Sequence, residues 1–298
     1  MFREMKKFII LIPVYNDWKS LFKLLENINR EISDQSNLII SVLVVNDKST
    51  EEITNNTINF SNLDYVQIIN LKKNGGHGHA IATGLKYIND NMSYDYVIPM
   101  DGDGEDRPEE LIKFFDIINT SSPNIITANR VKRSEGSIFQ TCYRIHKFLT
   151  YLMTGKMIKF GNYSCLSTSA VQKILSNGSI WLSYSGAVAK NFFSISSIES
   201  VRGIRYFGPS KMNFLNLVKH SLNISATFKE TIFLRAAILS MILTFVAHYT
   251  ASYLLIAAAL TWILMLYMFF LSKNDDLKKL QSSSDNIGEI ITLYEKKN

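Results

Sequence analysis

The densest acidic cluster in the chain is the run Asp101-Gly102-Asp103-Gly104-Glu105-Asp106. Two carboxylates separated by one residue can reach a single hard divalent cation and still leave coordination sites for phosphate oxygens. A calcium-binding EF-hand loop would need glycine at its sixth position and glutamate at its twelfth, where this sequence has Asp106 and Ile112. The cluster therefore predicts a metal and diphosphate site rather than an EF-hand, with a solvated acidic loop as the alternative.

A second candidate for ligand binding is the run Gly75-Gly76-His77-Gly78-His79. It is not a Walker phosphate loop, because no Gly-Lys-Ser/Thr follows, and it is not a Rossmann fingerprint, because Ile81 takes the last glycine position. Two histidines without a third ligand make a poor zinc site. The run predicts a close approach of the backbone to a ligand, with a plain turn as the alternative.

The elements that must position these residues are five β-rich runs, residues 8–12, 38–45, 65–71, 94–100 and 124–128. Segments with helical spacing alternate with them, at residues 18–32, 79–88 and 108–118. This alternation predicts an α/β fold with a doubly wound, mostly parallel sheet. Each run ends in polar residues or glycine, and sheets of this kind bind ligands at the carboxyl ends of their strands. We therefore expect the five ends to meet at one edge.

Two apolar stretches, residues 231–249 and 251–271, are each long enough to cross a bilayer as a helix. Lysine and arginine flank the pair on its outer sides and the link between the stretches carries no charge, which predicts a hairpin with both ends cytoplasmic. Residues 213–229 show the pattern of an amphipathic helix lying on a membrane surface. A charged fraction of only 19% agrees with a chain that partly meets lipid. The alternative is a buried helical hairpin of a soluble core.

The predicted organisation is an α/β domain over 1–212, an amphipathic juxtamembrane segment over 213–229, a transmembrane hairpin over 230–272 and a mobile, polar, cytoplasmic tail over 273–298. The two cysteines, Cys142 and Cys165, cannot build a disulfide framework, and no cysteine and histidine spacing typical of zinc is present.

Charge is distributed unevenly along the chain, and this distribution bears on the chemical class of the acceptor substrate. Residues 136–229 contain eleven Lys and Arg against one acid, Glu199. A hydroxyl acceptor needs a general base, usually a carboxylate, whereas a lipid monophosphate is already anionic near neutral pH. The basic region beside a membrane anchor therefore favours a phosphate acceptor, although attraction to anionic lipid headgroups explains part of the charge. A hydroxyl acceptor, with Glu105, Asp106 or Glu199 as base, stays open, and a nucleic-acid partner is not expected.

Six motifs in order resemble those of family-2 glycosyltransferases of GT-A fold, and the sequence is similar to the membrane-anchored polyprenyl-phosphate sugar transferases within that family. The matching residues are Ile12 to Asn16, Val45 to Ser49, Asn74 to Ala80, the Asp101-Gly102-Asp103 triplet, the pair Arg130 and Arg144, and the late group Arg205, Gly208, Ser210 and Lys211. The resemblance covers nearly the whole chain, including the C-terminal hairpin.

The resemblance implies an inverting transfer of a sugar from a UDP- or GDP-sugar to a polyprenyl phosphate or another membrane lipid. It implies that Asp101 and Asp103 are catalytic and hold Mg²⁺ or Mn²⁺. The residues implied for nucleotide binding are Pro13, Tyr15, Asp17, Asp47, Asn74, Gly75, Gly76 and His79, and those implied for phosphate or acceptor binding are Arg130, Arg144, Arg205 and Lys211. The implied location is a bacterial inner membrane, with two spans and a cytoplasmic catalytic domain, and a homo-oligomer is compatible with it.

The sequence departs from the family pattern at two places. Lys48 replaces the glycine of the second motif, and residues 162–166, Asn-Tyr-Ser-Cys-Leu, replace an Asp-Phe-Arg-Leu stretch near the acceptor. The second departure removes a carboxylate and an arginine, which leaves the acceptor open. A catalytically silent membrane subunit that binds nucleotide is a further alternative, which the presence of both Asp101 and Asp103 disfavours.

Overall fold

The structure, a computed structural model, describes residues 5–53, 60–132, 148, 150–209, 214–250, 253–273 and 275–296. Its strands are β1 (Lys6–Val14), β2 (Leu38–Asn46), β3 (Tyr65–Leu71), β4 (Tyr96–Pro99), β5 (Ile125–Lys132), β6 (Phe160–Ser167), β7 (Ser196–Val201) and β8 (Ile287–Glu295). Its helices are α1 (Trp18–Glu31), α2 (His77–Asn91), α3 (Leu111–Ser121), α4 (Thr168–Leu175), α5 (Ser179–Leu182), α6 (Tyr184–Asn191), α7 (Phe214–Ala226), α8 (Lys229–Tyr249), α9 (Tyr253–Ser272) and α10 (Leu277–Gln281). Short 3₁₀ turns occupy Pro108–Glu110 and Ser282–Asn286.

The eight strands form one mixed sheet in the order β7-β5-β6-β4-β1-β2-β3-β8. The pairs β1 with β2, β1 with β4, β2 with β3 and β5 with β7 are parallel. Strand β6 runs antiparallel between β4 and β5, so these two strands still point the same way. All five predicted strands are confirmed and their carboxyl ends lie at one edge of the sheet, as expected.

Helices cover both faces of the sheet, so β1 is buried on both of its sides. Phe8, Ile10 and Ile12 pack into the core formed with α1 and α3. Ile9 and Leu11 pack into the opposite core, formed with α2 and α4 to α6. An uninterrupted apolar run is what a central strand with two covered faces requires, so the prediction of a doubly wound α/β architecture is confirmed.

The C-terminal segment corrects one sequence prediction. Residues 273–298 were expected to form a mobile polar tail, but they contribute α10 and strand β8, which pairs antiparallel with β3. Leu280 of α10 is buried in the core formed with α2. The chain therefore leaves the sheet domain after β7, forms the two long helices and returns to complete the same sheet.

Two helices, α8 and α9, are long and apolar enough to cross a membrane by length and composition. They pack on each other, with the rings of Phe233 and Trp262 edge to face at 6.4 Å. Most of their other large side chains are exposed, including Phe245 at 67% and Phe270 at 65%. A buried hairpin of a soluble core would hide such side chains, so the exposed surface fits contact with lipid.

The hairpin is joined to the sheet domain at its base. Ile232 of α8 and Met268 of α9 are buried against Leu182 of α5. Arg235, the charge within the first apolar stretch, donates from Nη1 to the carbonyl oxygen of Leu152 at 2.6 Å, at the end of a helical turn over residues 150–154. The guanidinium thereby satisfies a carbonyl at a helix C-terminus.

Candidate active site at the carboxyl edge of the sheet

Arg205 connects two of the strand ends at this edge. Its Nη1 donates to Asp103 Oδ2, just after β4, at 2.7 Å, and its Nη2 donates to Asp17 Oδ2, which follows β1. Its Nε donates to the carbonyl oxygen of Phe207 at 2.9 Å, which fixes the plane of the guanidinium. Arg205 was expected to bind phosphate, and in this structure its donors are directed at two carboxylates of the predicted donor site.

The segment carrying Arg205 is anchored along its length to the acidic run. Gly203 N–H donates to the carbonyl oxygen of Glu105 at 2.8 Å, and Tyr206 N–H donates to that of Asp103 at 2.9 Å. Arg202 forms an ion pair with the Glu105 carboxylate. These contacts make residues 202–207, hereafter the arginine loop, a cover over the acidic run.

Gly104 is the residue that lets the arginine loop come so close. Its φ is +90°, and a Cβ added there would lie 2.5 Å from the ring of Tyr206. A side chain would therefore be strained by the backbone and would collide with the ring. The Tyr206 hydroxyl in turn accepts from Asn27 Nδ2 of α1 at 2.8 Å.

Asp101 lies among polar side chains from three elements. His77 Nε2, in the first turn of α2, is 3.2 Å from Asp101 Oδ1, and Asn162 Nδ2, on β6, is 2.7 Å from the same histidine nitrogen. Asp101 N–H donates to Asp106 Oδ2 at 2.9 Å, and Arg130 Nη2 is 3.6 Å from Asp106 Oδ1. Arg130 thus reaches the acidic run from β5, and its binding of phosphate stays a prediction.

The pKa values of these acids move in opposite directions. Burial alone would raise the pKa of Asp101, but the adjacent His77 and then Arg130 hold it well below its ordinary value. Burial, followed by the charge of Asp101, raises the pKa of Asp106. The same two causes raise the pKa of Asp103. Asp101 therefore ionises more readily than an ordinary aspartate, whereas Asp103 and Asp106 hold their protons more tightly.

The donor chemistry of the acidic run fits a hard divalent cation. Asp101 Oδ1 is buried and has no well-directed hydrogen bond among the described residues. Asp103 Oδ1 accepts from Glu105 N–H at 3.0 Å, while Oδ2 faces Arg205. In the described part of the chain no group of three or more His, Cys, Asp or Glu converges as a ligand set. Two carboxylates leave most coordination positions to water and phosphate oxygens, a pattern common for Mg²⁺.

The predicted nucleotide-binding residues after β2 and β3 contact one another. Asp47 accepts from Gly75 N–H and from Gly76 N–H, both at 2.7 Å, and Asn74 Nδ2 donates to the Asp47 carbonyl oxygen at 2.8 Å. Burial raises the pKa of Asp47, against the opposing effect of these two N–H groups. The carboxylate thus shapes the loop after β3, in which Gly76 has a φ of +87° that favours glycine.

The remaining predicted nucleotide-binding residues lie on both sides of this loop. The His79 imidazole stacks on the indole of Trp181 at 4.0 Å between ring centroids. The Pro13 carbonyl oxygen lies 3.2 Å from where a Cβ on Gly102 would be, so backbone passes backbone closely there. Tyr15 has an exposed side chain at the end of β1.

Arg144 and Lys211, predicted to bind phosphate or acceptor, lie outside the described residues.

Three residues at this edge were not predicted as members of the site. From sequence His77 is a poor zinc ligand, and the structure pairs it with Asp101. Asn162 stood out only as a departure from a family motif, and it reaches the site because β6 begins at this edge. Asn16, with a φ of 47°, ties β1 to β2 by accepting at Oδ1 from Thr50 N–H at 2.8 Å. Its αL conformation, which asparagine tolerates, leaves no clear sequence signal.

Solved structures share this architecture. Glucosyl-3-phosphoglycerate synthase from Mycobacterium tuberculosis superposes with a TM-score of 0.52 at 14% identity, over 76% of this chain and 80% of that one. Mannosyl-3-phosphoglycerate synthase from Rubrobacter xylanophilus gives 0.51 at 12% identity, over 79% of this chain and 80% of that one. At such identities the likeness shows the fold alone, which is of GT-A type with an eight-stranded mixed sheet.

The family model described as glycosyl transferase family 2 matches residues 9–171, more than half of the chain. The chain belongs to glycosyl transferase family 2, as its motifs predicted.

Curated relatives lie within the same family at low identity. The chain is 24% identical over 230 residues to the undecaprenyl-phosphate 4-deoxy-4-formamido-L-arabinose transferase of Photorhabdus laumondii, covering 73% of this chain and 66% of that protein. It is 25% identical over 219 residues to the protein of that name from Serratia proteamaculans, covering 72% and 65%. It is 24% identical over 228 residues to the uncharacterized glycosyltransferase YkcC of Bacillus subtilis, covering 75% and 69%. The chain thus spans about two thirds of the length of these relatives.

Proposed function

We propose that this protein transfers a sugar, with inversion, from a nucleotide-diphosphate sugar to a polyprenyl phosphate at the cytoplasmic face of a membrane. Family membership supports sugar transfer. Two relatives whose names specify undecaprenyl phosphate support the acceptor class. The observation that carries the proposal is the contact of Arg205 with Asp17 and Asp103, because this arginine lies nine residues before helix α7, which leads into the membrane hairpin.

In the proposed reaction an oxygen of the acceptor phosphate attacks the anomeric carbon, and the bond from that carbon to the diphosphate oxygen breaks. The nucleoside diphosphate leaves with the electron pair of that bond. Because the acceptor phosphate is already anionic near neutral pH, no proton has to be removed from it. Arg130 and Arg205 have guanidinium groups suited to pair with phosphate oxygens of donor or acceptor. The sugar becomes attached through a new phosphodiester.

The state of the nearby acids favours a phosphate acceptor over a hydroxyl. Asp106 is buried, its pKa is raised and one oxygen already accepts from Asp101 N–H. Glu105 is paired with Arg202. Glu199 is exposed on the edge strand β7. Of the three acids considered as general base from sequence, it is the one for which the described residues show no such contact of the carboxylate. The alternative acceptor, a hydroxyl of a lipid-linked saccharide or glycolipid, would depend on it.

The proposed cofactor is Mg²⁺ or Mn²⁺, held by Asp103 and Asp101. A bound divalent ion would act as a Lewis acid that neutralises charge on the leaving diphosphate. The structure of the Mycobacterium tuberculosis synthase holds Mn²⁺ together with UDP-glucose, which supports a divalent ion in this fold. The spacing of Asp101 and Asp103, two carboxylates separated by one residue just after β4, supports it independently.

The proposed topology is a hairpin whose two ends lie on one side of the membrane. Strand β8, which follows the hairpin, pairs with β3, which precedes it, so both ends of the hairpin enter the same sheet domain. The flanking lysines and arginines favour the cytoplasmic side for that domain.

The proposal is tested by screening radiolabelled UDP- and GDP-sugars with the purified protein and polyprenyl phosphate in detergent. We expect one donor class to label the lipid, and both Asp103→Ala and excess chelator to remove nearly all of that labelling. Glu199→Ala separates the two acceptors. Abolished turnover with intact donor binding would favour the hydroxyl acceptor, and near-normal turnover the phosphate.

A further inference from the structure

The segment that returns from the membrane hairpin contacts the loop after β3. That loop, residues 72–76 and hereafter the glycine loop, contains Asn74, Gly75 and Gly76, three of the residues proposed to bind the nucleotide. The returning segment comprises α10, the 3₁₀ turn and β8. Its contact with the glycine loop has no counterpart in the family motifs described above.

Asn286, the last residue of the 3₁₀ turn, hydrogen-bonds both backbone groups of one residue of the glycine loop. Lys73 N–H donates to Asn286 Oδ1 at 2.9 Å, and Asn286 Nδ2 donates to the Lys73 carbonyl oxygen at 3.0 Å. Beside this pair, Lys72 N–H donates to the Asn286 carbonyl oxygen at 2.8 Å. The Lys72 ammonium donates to the Asp285 carbonyl oxygen at 2.8 Å. An asparagine amide that satisfies a donor and an acceptor of one residue holds that residue in a single orientation.

The other end of the glycine loop is held from the interior of the site. Gly75 N–H and Gly76 N–H donate to the Asp47 carboxylate, and Asn74 donates to the Asp47 carbonyl oxygen. The loop is therefore fixed at Lys73 from outside and at Gly75 and Gly76 from inside. Its conformation depends on both, because glycines supply little stiffness of their own.

The place of Asn286 is set by the sheet. Strand β8 pairs with β3 so that Ile287 is opposite Leu71, which brings the preceding residue, Asn286, beside Lys72 and Lys73. Gly288 lies so close to β3 that a Cβ there would be 3.1 Å from the Asn70 carbonyl oxygen. Helix α9 ends at Ser272, fourteen residues before Asn286. The contact thus links the end of the second long helix to the donor side of the site.

We propose that Asn286 is a positioning residue for the nucleotide, holding the glycine loop in the conformation that the donor requires. The donor site is then completed by a segment that follows the membrane hairpin. This inference rests on the proposed function, which assigns the glycine loop to the nucleotide.

The test compares Asn286→Ala with Asp276→Ala in the full-length protein. Asp276 is a matched control because its side chain also makes two hydrogen bonds to backbone, accepting from Lys278 N–H and Lys279 N–H in the same segment. The dissociation constants of UDP and GDP are measured by calorimetry, and the donor KM, acceptor KM and kcat are measured with the donor found in the screen. Thermal unfolding midpoints of the two variants report any general loosening.

We expect Asn286→Ala to weaken nucleotide binding and raise the donor KM by about tenfold, with acceptor KM and kcat within about twofold of wild type. Asp276→Ala should leave nucleotide binding within about twofold, at a comparable unfolding midpoint. Equal nucleotide affinities in the two variants would overturn the inference and leave the proposed function standing. A wild-type protein that binds neither UDP nor GDP would overturn the proposed function, and the inference with it.

If Asn286→Ala does not fold, Asn286→Asp gives the same test. The aspartate keeps an acceptor for Lys73 N–H, but it replaces the donor to the Lys73 carbonyl oxygen by a carboxylate oxygen that repels that carbonyl. A nucleotide affinity below that of wild type supports the inference. An affinity equal to wild type in folded Asn286→Asp contradicts it.

Discussion

Arg205 Nη1 donates to Asp103 Oδ2 at 2.7 Å, across 102 positions of sequence. The same guanidinium contacts Asp17, so one cation from the loop before the membrane segment joins the ends of β1 and β4. Charge-assisted hydrogen bonds of this kind are about twice as strong as neutral ones. We propose that Arg205 exchanges these carboxylate partners for substrate phosphate during the reaction.

Replacing Arg205 should affect turnover more than replacing its neighbour. We expect Arg205→Ala to lower kcat by about 10- to 1,000-fold, as loss of a charge-assisted contact made mainly in the transition state would. The control is Arg202→Ala, which removes an arginine of the same loop whose partner is Glu105, and it should stay within about threefold. The assay uses a soluble short-chain acceptor in detergent. Near-normal turnover of Arg205→Ala in this assay would assign Arg205 to headgroup attraction instead.

A side chain at Gly104 should loosen the arginine loop. Gly104→Ala forces alanine to a φ of +90° and places its Cβ against the Tyr206 ring, so we expect a loss of about 1–3 kcal/mol of stability. Gly78→Ala is the matched control, because nothing lies within 4 Å of a Cβ there and alanine favours a helix by about 0.8–1 kcal/mol over glycine. Thermal unfolding in detergent gives the comparison, and a Gly104→Ala midpoint at or above that of Gly78→Ala would refute the role of Gly104.

Acid should destabilise the fold partly through His79. Burial lowers the pKa of His79, while backbone hydrogen bonds with Gly75 and Trp181 and the charge of Asp47 oppose the shift and Lys279 adds to it. As pH falls through about 6.5 the unfolded chain binds a proton that the folded protein does not yet accept, so stability is lost. His79→Phe keeps a ring on Trp181 and cannot titrate. Between pH 7.5 and 5.5 the wild-type unfolding midpoint should fall further than that of His79→Phe, and parallel falls would contradict the prediction.

Both ends of the membrane hairpin should report from one compartment. A tag before residue 5 and a tag after residue 296 are expected on the same side of the membrane, because β1 and β8 belong to one sheet and cannot be separated by a bilayer. The flanking lysines and arginines favour the cytoplasm for that side. A cysteine introduced at Thr250, between α8 and α9, should react with a membrane-impermeant reagent from the opposite side. Tags on opposite sides would mean that only one of the two helices spans.

The sequence predicts the centre of this fold well because its signals are local. Strand β1 is a continuous apolar run, and the strands that follow it are separated by helical periodicity, so five strands and their shared edge could be predicted. Asp101, Asp103, Asp47 and Arg130 could be placed there for the same reason, since each lies within three residues of the end of a predicted strand.

The missed strands lack such signals. Strand β6 is mixed in polarity, β7 is a short edge strand, and β8 pairs with residues more than 200 positions earlier, on the other side of the hairpin. No local pattern encodes a partner at that distance. The contacts of Arg205 with Asp17 and Asp103, and of Asn286 with Lys73, follow from those pairings and loop docking, so they too could not be read from the sequence.

The identity of the acceptor is the central claim, and a matched pair of lipids tests it most directly. The purified protein is incubated with its labelled donor and either undecaprenyl phosphate or undecaprenol of the same chain length, with Asp103→Ala as the blank. The account predicts label on the phosphate lipid and none above the blank on the alcohol. Transfer to the alcohol, or to a lipid-linked saccharide, with none to undecaprenyl phosphate, would contradict it.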